Sequence, residues 1–250
     1  MSRIIGLISG KGGVGKSTTA INLASALQNL GKTSIVVDGN LDTPNVGILL
    51  GSPVVDFHLH HVLKGRKGIG GAVYLHDSGL EFVPAGLGVM EMKGLNYAKL
   101  GRELKKLDHD YVLVDGPAGL GHDVKELVKA CDEFIVVCNA EMTSVTDAMK
   151  AAKFVEKAGK QVLGAVVTRV KKDDLDVSYS SVENLLEYPV IGVVPEDDRV
   201  RESASLHDSV VGSFPRSGAA KGYVKLGSAF ADIEYIEELS LWEKLVGWIK

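Results

Sequence analysis

Seven short apolar runs, rich in Ile and Val, are spread along the chain: Ile4–Ile8, Ser34–Val37, Leu80–Val83, Tyr111–Val114, Phe134–Val137, Val162–Val167 and Val190–Val194. They are nearly continuous, with little polar alternation. Such runs fit strands buried on both faces, which is the situation in a parallel sheet. Helical repeats lie between several of them. Ser17–Leu30 places Ala20, Leu23, Ala24, Leu27 and Leu30 on one face and is closed by Gly31. Leu95–Leu107, Val124–Cys131, Thr143–Ala158 and Val182–Glu187 read the same way. Strand alternating with helix predicts an α/β fold: a doubly wound, mainly parallel sheet with helices on both faces.

At 250 residues the chain is long enough for one or two domains. No Pro/Ser linker or charge block divides it, so a single domain over residues 1–238 is expected, followed by a short tail. The net charge of −4 gives no global attraction to nucleic acid. No apolar run approaches the ~20 residues that cross a bilayer. The N-terminal MSRIIGLISGKGG reads as a strand, not a signal peptide, and a cytoplasmic protein is expected. Cys131 and Cys138 are seven apart; on one strand they would point to opposite faces as reduced, buried thiols.

The segment Gly10–Thr18, GKGGVGKST, contains G-x-x-x-x-G-K-[ST] at Gly10, Gly15, Lys16 and Ser17. It follows an expected strand and opens an expected helix, the context that this motif requires. The backbone amides of Gly12, Gly13, Val14 and Gly15 and the helix N-terminus suit phosphate oxygens. Lys16 is expected to reach the β- and γ-phosphates, Ser17 to bind Mg²⁺, and Thr18 to meet the α-phosphate.

Downstream, the run Ser34–Val37 leads into DGNLDTPN, residues 38–45. An acid at the C-terminal end of a parallel strand faces the ligand crevice. Asp38 therefore suits the Mg²⁺ shell or the attacking water; the plainer alternative is a turn or helix cap. The run YVLVDGPAG, residues 111–119, ends a strand in Asp115, a second metal candidate, and Gly119, whose amide suits γ-phosphate sensing. Val167–Arg169 and Val193–Asp197 end two further strands and can border the same crevice. For the second, a turn with helix capping is the alternative.

The loop KGGVGKST, with lysines at both Lys11 and Lys16, resembles the deviant Walker A loop of the MinD/ParA (signature-lysine) ATPases, and the resemblance is nearest to archaeal MinD-like proteins. It runs from about Arg3 to Ser205 with motifs in the same order. It implies a P-loop ATPase that binds ATP or ADP with Mg²⁺ and forms a homodimer around ATP, Lys11 reaching the partner's phosphates. It implies an adenine pocket at Thr168, Arg169, Pro195, Glu196 and Asp197, and a role for Glu141 toward the partner's nucleotide. Asp115, Pro117, Ala118 and Gly119 match the family's D-x-PAG segment. Asn40 stands where the family usually has a second Asp that positions or activates water. Asparagine bonds water but takes no proton as a base. Asp42, four after Asp38, is similar in spacing to the nitrogenase iron protein and is a candidate substitute.

The tail Leu239–Lys250 separates on a helical wheel of ~100° per residue. Leu239, Leu241, Trp242, Leu245, Val246, Trp248 and Ile249 share one half, and Ser240, Glu243, Lys244, Gly247 and Lys250 the other. Short C-terminal amphipathic helices bind membrane in MinD proteins, so the resemblance implies a peripheral site on the inner face of the cell membrane. Docking of the same face onto the domain or onto a partner protein is the alternative. The expected function is a MinD-like ATPase that controls membrane or partner association in spatial positioning, such as division-site placement. A ParA-like DNA-partitioning ATPase ranks lower, because the late basic residues are scattered among acids. An iron–sulfur carrier is disfavoured by the cysteine spacing. A nucleotide-gated adaptor with weak hydrolysis is suggested by Asn40.

Overall fold

The strands of this computed structural model are β1 (Arg3–Ser9), β2 (Ser34–Asp38), β3 (Tyr74–Leu75), β4 (Glu81–Val83), β5 (Tyr111–Ala118), β6 (Glu133–Asn139), β7 (Gln161–Val170) and β8 (Val190–Pro195). The structure describes residues 2–171 and 179–235; the expected tail 239–250 and the boundary before it lie outside these. The strands form one sheet in the order β3-β4-β2-β5-β1-β6-β7-β8. Each neighbouring pair is parallel except β3 with β4. This is the expected doubly wound α/β architecture of a P-loop NTPase.

The continuous apolar runs are explained by burial on both faces. On β1, Ile4 and Ile8 enter one core layer, Ile5 and Leu7 the other. The first layer is covered by α5 (His122–Ala130) and α6 (Met142–Lys157), through Val124, Leu127, Val145 and Ala148. The second is covered by α1 (Lys16–Asn29) and α10 (Gly218–Ala231), through Leu23, Leu27, Tyr223 and Leu226. The remaining helices are α2 (Val46–Leu49), α3 (Leu59–Leu63), α4 (Leu100–Leu104), α7 (Tyr179–Leu186), α8 (Asp198–Ser205) and α9 (Val210–Ser213). No helix among the described residues is long and apolar enough to cross a membrane.

All seven expected strands form. The helix expected over Leu95–Leu107 is instead a 3₁₀ turn, Tyr97–Lys99, followed by the short α4. Asn96, at φ −109° and ψ 88°, is off the helical conformation, so the expected start at Leu95 is lost. The helix α10 escapes the periodicity reading because Gly218, Gly222 and Gly227 interrupt its pattern. Glycine lowers helix propensity by about 1 kcal/mol, and tertiary packing overrides this here. A Cβ at Gly222 would lie 2.7 Å from the Val193 carbonyl oxygen, and one at Gly227 would lie 3.0 Å from Ala26 Cβ. The cysteines also differ from expectation. Cys131 precedes β6 at the end of α5, so the two do not share a strand, and both are buried in one core layer. Burial pushes the Cys138 thiol up to about 12, which keeps it protonated and inert.

Candidate active site

The glycine loop is anchored before any ligand enters. At Gly10 a Cβ would fall 2.2 Å from the Asp147 carbonyl oxygen, so the backbone passes where no side chain fits. Gly13 and Gly15 have φ of +79° and +91°, the left-handed region that favours glycine. Val14 turns into the core, and its carbonyl accepts a 2.7 Å hydrogen bond from Thr168 Oγ1. Gly12, Gly13, Gly15, Lys16, Ser17 and Thr18 then line a cavity of about 310 Å³. Lys16 is buried and donates to Ser9 Oγ at 2.9 Å, while that hydroxyl donates to the Lys11 carbonyl at 2.7 Å. Burial pulls the Lys16 ammonium below its ordinary pKa, and the charge of Asp115 opposes this. Lys11 itself is exposed.

Two carboxylates stand side by side beneath the loop. Asp38 ends β2 and pairs in register with Asp115 on β5. Both are fully buried. Neither oxygen of Asp115 has a well-formed hydrogen bond; its polar neighbours are the Ser17 hydroxyl and the Lys16 ammonium. Burial lifts its carboxyl to about 6, with the Ser17 hydroxyl and the Lys16 ammonium pulling the other way. A buried carboxylate without well-formed hydrogen bonds is costly. A hydroxyl at Ser17 and the buried carboxylate at Asp115 are oxygen donors that fit a hard cation such as Mg²⁺.

Asp38 is treated differently. Its Oδ2 accepts from the amides of Asn45 and Val46, both at 2.9 Å, and its Oδ1 from that of Asn40 at 3.2 Å. Burial and the charge of Asp115 raise its pKa well above the usual range, against these amides. It holds the 38–45 loop closed and starts α2, which is the capping alternative weighed from the sequence. Asn40 lines the cavity but spends both ends of its amide on Thr43: Nδ2 donates to the Thr43 carbonyl at 2.6 Å, and Oδ1 accepts from Oγ1 at 3.2 Å. Asp42, the candidate substitute, does not line the cavity in this conformation; its carboxyl lies near that of Asp123 on α5, which raises its pKa. Gly119, φ +84°, donates its amide to the Ser9 carbonyl at 2.9 Å, so in this conformation it is not free for a phosphate.

A second cavity, of about 400 Å³, shares Gly15, Thr18 and Arg169 with the first. It brings together the residues expected to form the base pocket: Thr168, Arg169, Pro195, Glu196 and Asp197. Two of them are already engaged. The Thr168 hydroxyl is tied to Val14. The Asp197 carboxylate caps α8 through Arg199 N (3.0 Å) and meets the start of α10 through Ala219 N (3.1 Å). Tyr223, Val200 and Arg201 also line this cavity. The sequence reading missed them because it did not assign α8 or α10. Glu141 is exposed at the N-cap of α6.

The family model for the CobQ/CobB/MinD/ParA nucleotide binding domain matches residues 5–210. The chain belongs to this family. An uncharacterized ATP-binding protein of Methanocaldococcus jannaschii is 34% identical over 242 residues, spanning 96% of this chain and 91% of its own. The cell division ATPase MinD of Pyrococcus furiosus superposes with a TM-score of 0.88 at 34% identity, covering 93% of this chain and 99% of that one. The septum site-determining protein MinD of Pyrococcus horikoshii, solved with Mg-ADP, gives 0.87 at 31% identity, with 92% and 96% covered. Membership agrees with the glycine loop and strand order described above, and the chain lies close to MinD within the family.

Proposed function

We propose that this chain is a MinD-like ATPase that binds ATP with Mg²⁺, dimerises around it and hydrolyses it to control association with a membrane or protein partner. The observation that carries this reading is the buried Lys16 beside the buried Asp115 under an anchored glycine loop. Lys16 spends one of its three donors on Ser9 and neither oxygen of Asp115 has a well-formed hydrogen bond, so both keep capacity for a ligand. Lys16 and the loop amides hold the phosphates. Mg²⁺, held by Ser17 and Asp115, supplies charge neutralisation on the phosphates when bound. Asp38, paired in register with Asp115 at the C-terminal end of β2, reaches the metal's water shell or the attacking water once its loop opens. Arg169 and Pro195 border the base, while Thr168 and Asp197 position the walls of its pocket.

Exposed Lys11 serves the partner's phosphates, which makes turnover depend on dimerisation. Residues 239–250 are the proposed membrane contact, as a pair of weak amphipathic helices. One such helix binds lipid marginally, and joining two on a dimer multiplies affinity by roughly 10²–10⁴. In the cell, this would place the protein in the cytoplasm and at the inner membrane face in its ATP form, with its cargo in the positioning of cellular components.

A second reading, a nucleotide-gated adaptor with feeble hydrolysis, draws on the switch geometry. Asp38 is bonded to three amides and Asn40 to Thr43, and Asp42 lies near Asp123. Among the described residues, no carboxylate lines the phosphate cavity. The deciding experiment measures dimerisation by light scattering, phosphate release and liposome co-sedimentation with ADP, ATP and a slowly hydrolysed analogue. Wild type is compared with Lys11→Ala and with a chain lacking residues 239–250. The ATPase reading expects an ATP-dependent dimer, lost in Lys11→Ala, with ATP binding retained. ATP-dependent dimerisation without measurable phosphate release favours the adaptor, and Lys11→Ala dimerising like wild type overturns the cross-subunit role.

A further inference from the structure

The segment Phe57–His61, F-H-L-H-H, carries three imidazoles in four residues. His58 is the N-cap of α3 and His61 lies one turn on, so the two share a side of the helix. Their rings pack with centroids 4.0 Å apart, tilted by 37°. His60 packs edge-on against His58, with ring centroids 5.3 Å apart, and its Nδ1 accepts from the Gly86 amide at 2.9 Å. Glu91, from the 3₁₀ turn Val89–Met92, closes the other side. One ligand atom from each of His58, His61 and Glu91 lies within 4.8 Å of the other two.

Two details point to a ligand. His58 is 7% exposed, and Nδ1 of both His58 and His61 is buried with no hydrogen-bond partner. Buried imidazole nitrogens are ordinarily satisfied. The cluster is also held in place: a Cβ at Gly86 would come within 2.3 Å of the His58 ring, so the backbone after β4 packs directly on it.

The geometry points to a Zn²⁺ site formed by His58, His61 and Glu91, with the fourth position open to water. Two imidazole nitrogens and a carboxylate oxygen are donors that suit zinc, at bond lengths of about 2.0–2.2 Å. Tetrahedral ligands on such bonds stand about 3.3 Å apart, so a small closing of the cluster completes the site. Mg²⁺ favours all-oxygen, octahedral surroundings and does not match this set. Lys64 now donates to Glu91 Oε2 at 2.9 Å and balances its charge. The metal therefore competes with Lys64 for this carboxylate. None of the three ligands lines the phosphate cavity. Bound zinc would clamp α3 to the turn at Val89–Met92. Leu59 and Leu63 of α3 pack in the same core layer as Leu41, so the clamp would bear on the 38–45 loop.

The test uses the full chain, stripped with chelator and kept free of nucleotide and Mg²⁺. Zn²⁺ binding is followed by calorimetry, and Co²⁺ is used as a spectroscopic substitute. One Zn²⁺ per chain and the visible bands of tetrahedral Co²⁺ are expected. Glu91→Gln, a change at a partly exposed position, should weaken binding at least about tenfold, as should His61→Gln. Lys64→Met should strengthen it, because the competing ammonium is gone. Melting curves without metal separate misfolding from ligand loss. Zn²⁺ affinity unchanged in both Glu91→Gln and His61→Gln, with the fold intact, overturns the site. So does a wild-type chain that takes up no Zn²⁺.

Discussion

The two ends of the nucleotide cleft are made from the same parts, the C-terminal ends of parallel strands, yet they treat polar side chains in opposite ways. At the phosphate end, Lys16 and Asp115 are buried, and burial moves both pKa values while their opposite charges act against the shifts. At the base end, Thr168 and Asp197 are saturated by protein hydrogen bonds. The lesson is that a buried group left wanting marks where a ligand must come, whereas a satisfied group marks what the walls are made of. The 38–45 loop lies between these extremes, with Asp38 buried at the C-terminal end of β2 but its oxygens bonded to amides.

If this contrast is right, the largest loss of binding belongs to Lys16. Lys16→Ala removes a charge-assisted contact to phosphate worth about 1.5–3 kcal/mol. ATP affinity should fall about 100-fold, measured by calorimetry or with a fluorescent nucleotide. The nucleotide-free protein should melt no lower than wild type, because a desolvated ammonium is lost. A small change in affinity would mean that the loop amides suffice and the contrast is overstated.

Asp115→Asn tests the same end through stability. Burial raises the folded pKa to about 6, above the ordinary value of 3.8. Between about pH 4 and pH 6 the folded state therefore holds the extra proton, so stability falls as pH rises through this window and levels off above it. Metal-free, nucleotide-free Asp115→Asn should be more stable than wild type at pH 7, on the order of 2 kcal/mol. It should lose this pH slope and bind Mg-nucleotide poorly. Denaturant melts at about pH 4.5, within this window, and at about pH 7, above it, check it. Parallel slopes in the two proteins would assign the titration to another group.

Asn40→Asp probes the loop in between. A carboxylate beside the phosphates favours hydrolysis, and general bases are worth up to about 10²–10⁴-fold when well placed. Yet Asp cannot donate to the Thr43 carbonyl as Asn40 Nδ2 does. The substitution should loosen the loop by about 1 kcal/mol and raise turnover by roughly tenfold, below that range because the loosened loop places the carboxylate imperfectly. Single-turnover phosphate release separates the two effects. An unchanged rate would place the limiting step in loop opening or dimer closure.

The same distinction explains what the sequence disclosed. The strands were legible because burial on both faces leaves Ile and Val in unbroken runs. The glycine loop was legible because few backbones other than a phosphate cradle need glycine at Gly10, Gly13 and Gly15 together. Helix α10 was hidden, since its glycines answer to neighbours, Val193 and Ala26, that are distant in sequence. The employment of Asp38, Asn40 and Asp42 was hidden for a related reason. Their residue types suit catalysis and capping equally, and only the fold shows which backbone amides come within reach. His58 and His61 escaped notice because Glu91 lies thirty residues downstream of His61 and joins them only in the folded chain.

Asp197 gives the smallest effect on binding and the sharpest test of the base end. The family resemblance implies a place for it in the base pocket, and it does line the second cavity. Its oxygens, however, serve the amides of Arg199 and Ala219, at the starts of α8 and α10. Removing an N-cap carboxylate typically costs about 1 kcal/mol. The loss here touches two helices, and α10 carries Tyr223 and Leu226 into the core. Asp197→Ala should therefore lower stability by about 1–2 kcal/mol, while ATP affinity in the folded protein changes less than about threefold, well under one hydrogen bond's worth. Asp197→Asn keeps an acceptor oxygen and should restore most of the stability. If Asp197→Asn instead weakens ATP binding tenfold with melting unchanged, the carboxylate meets the nucleotide directly. The base end would then share the logic of the phosphate end.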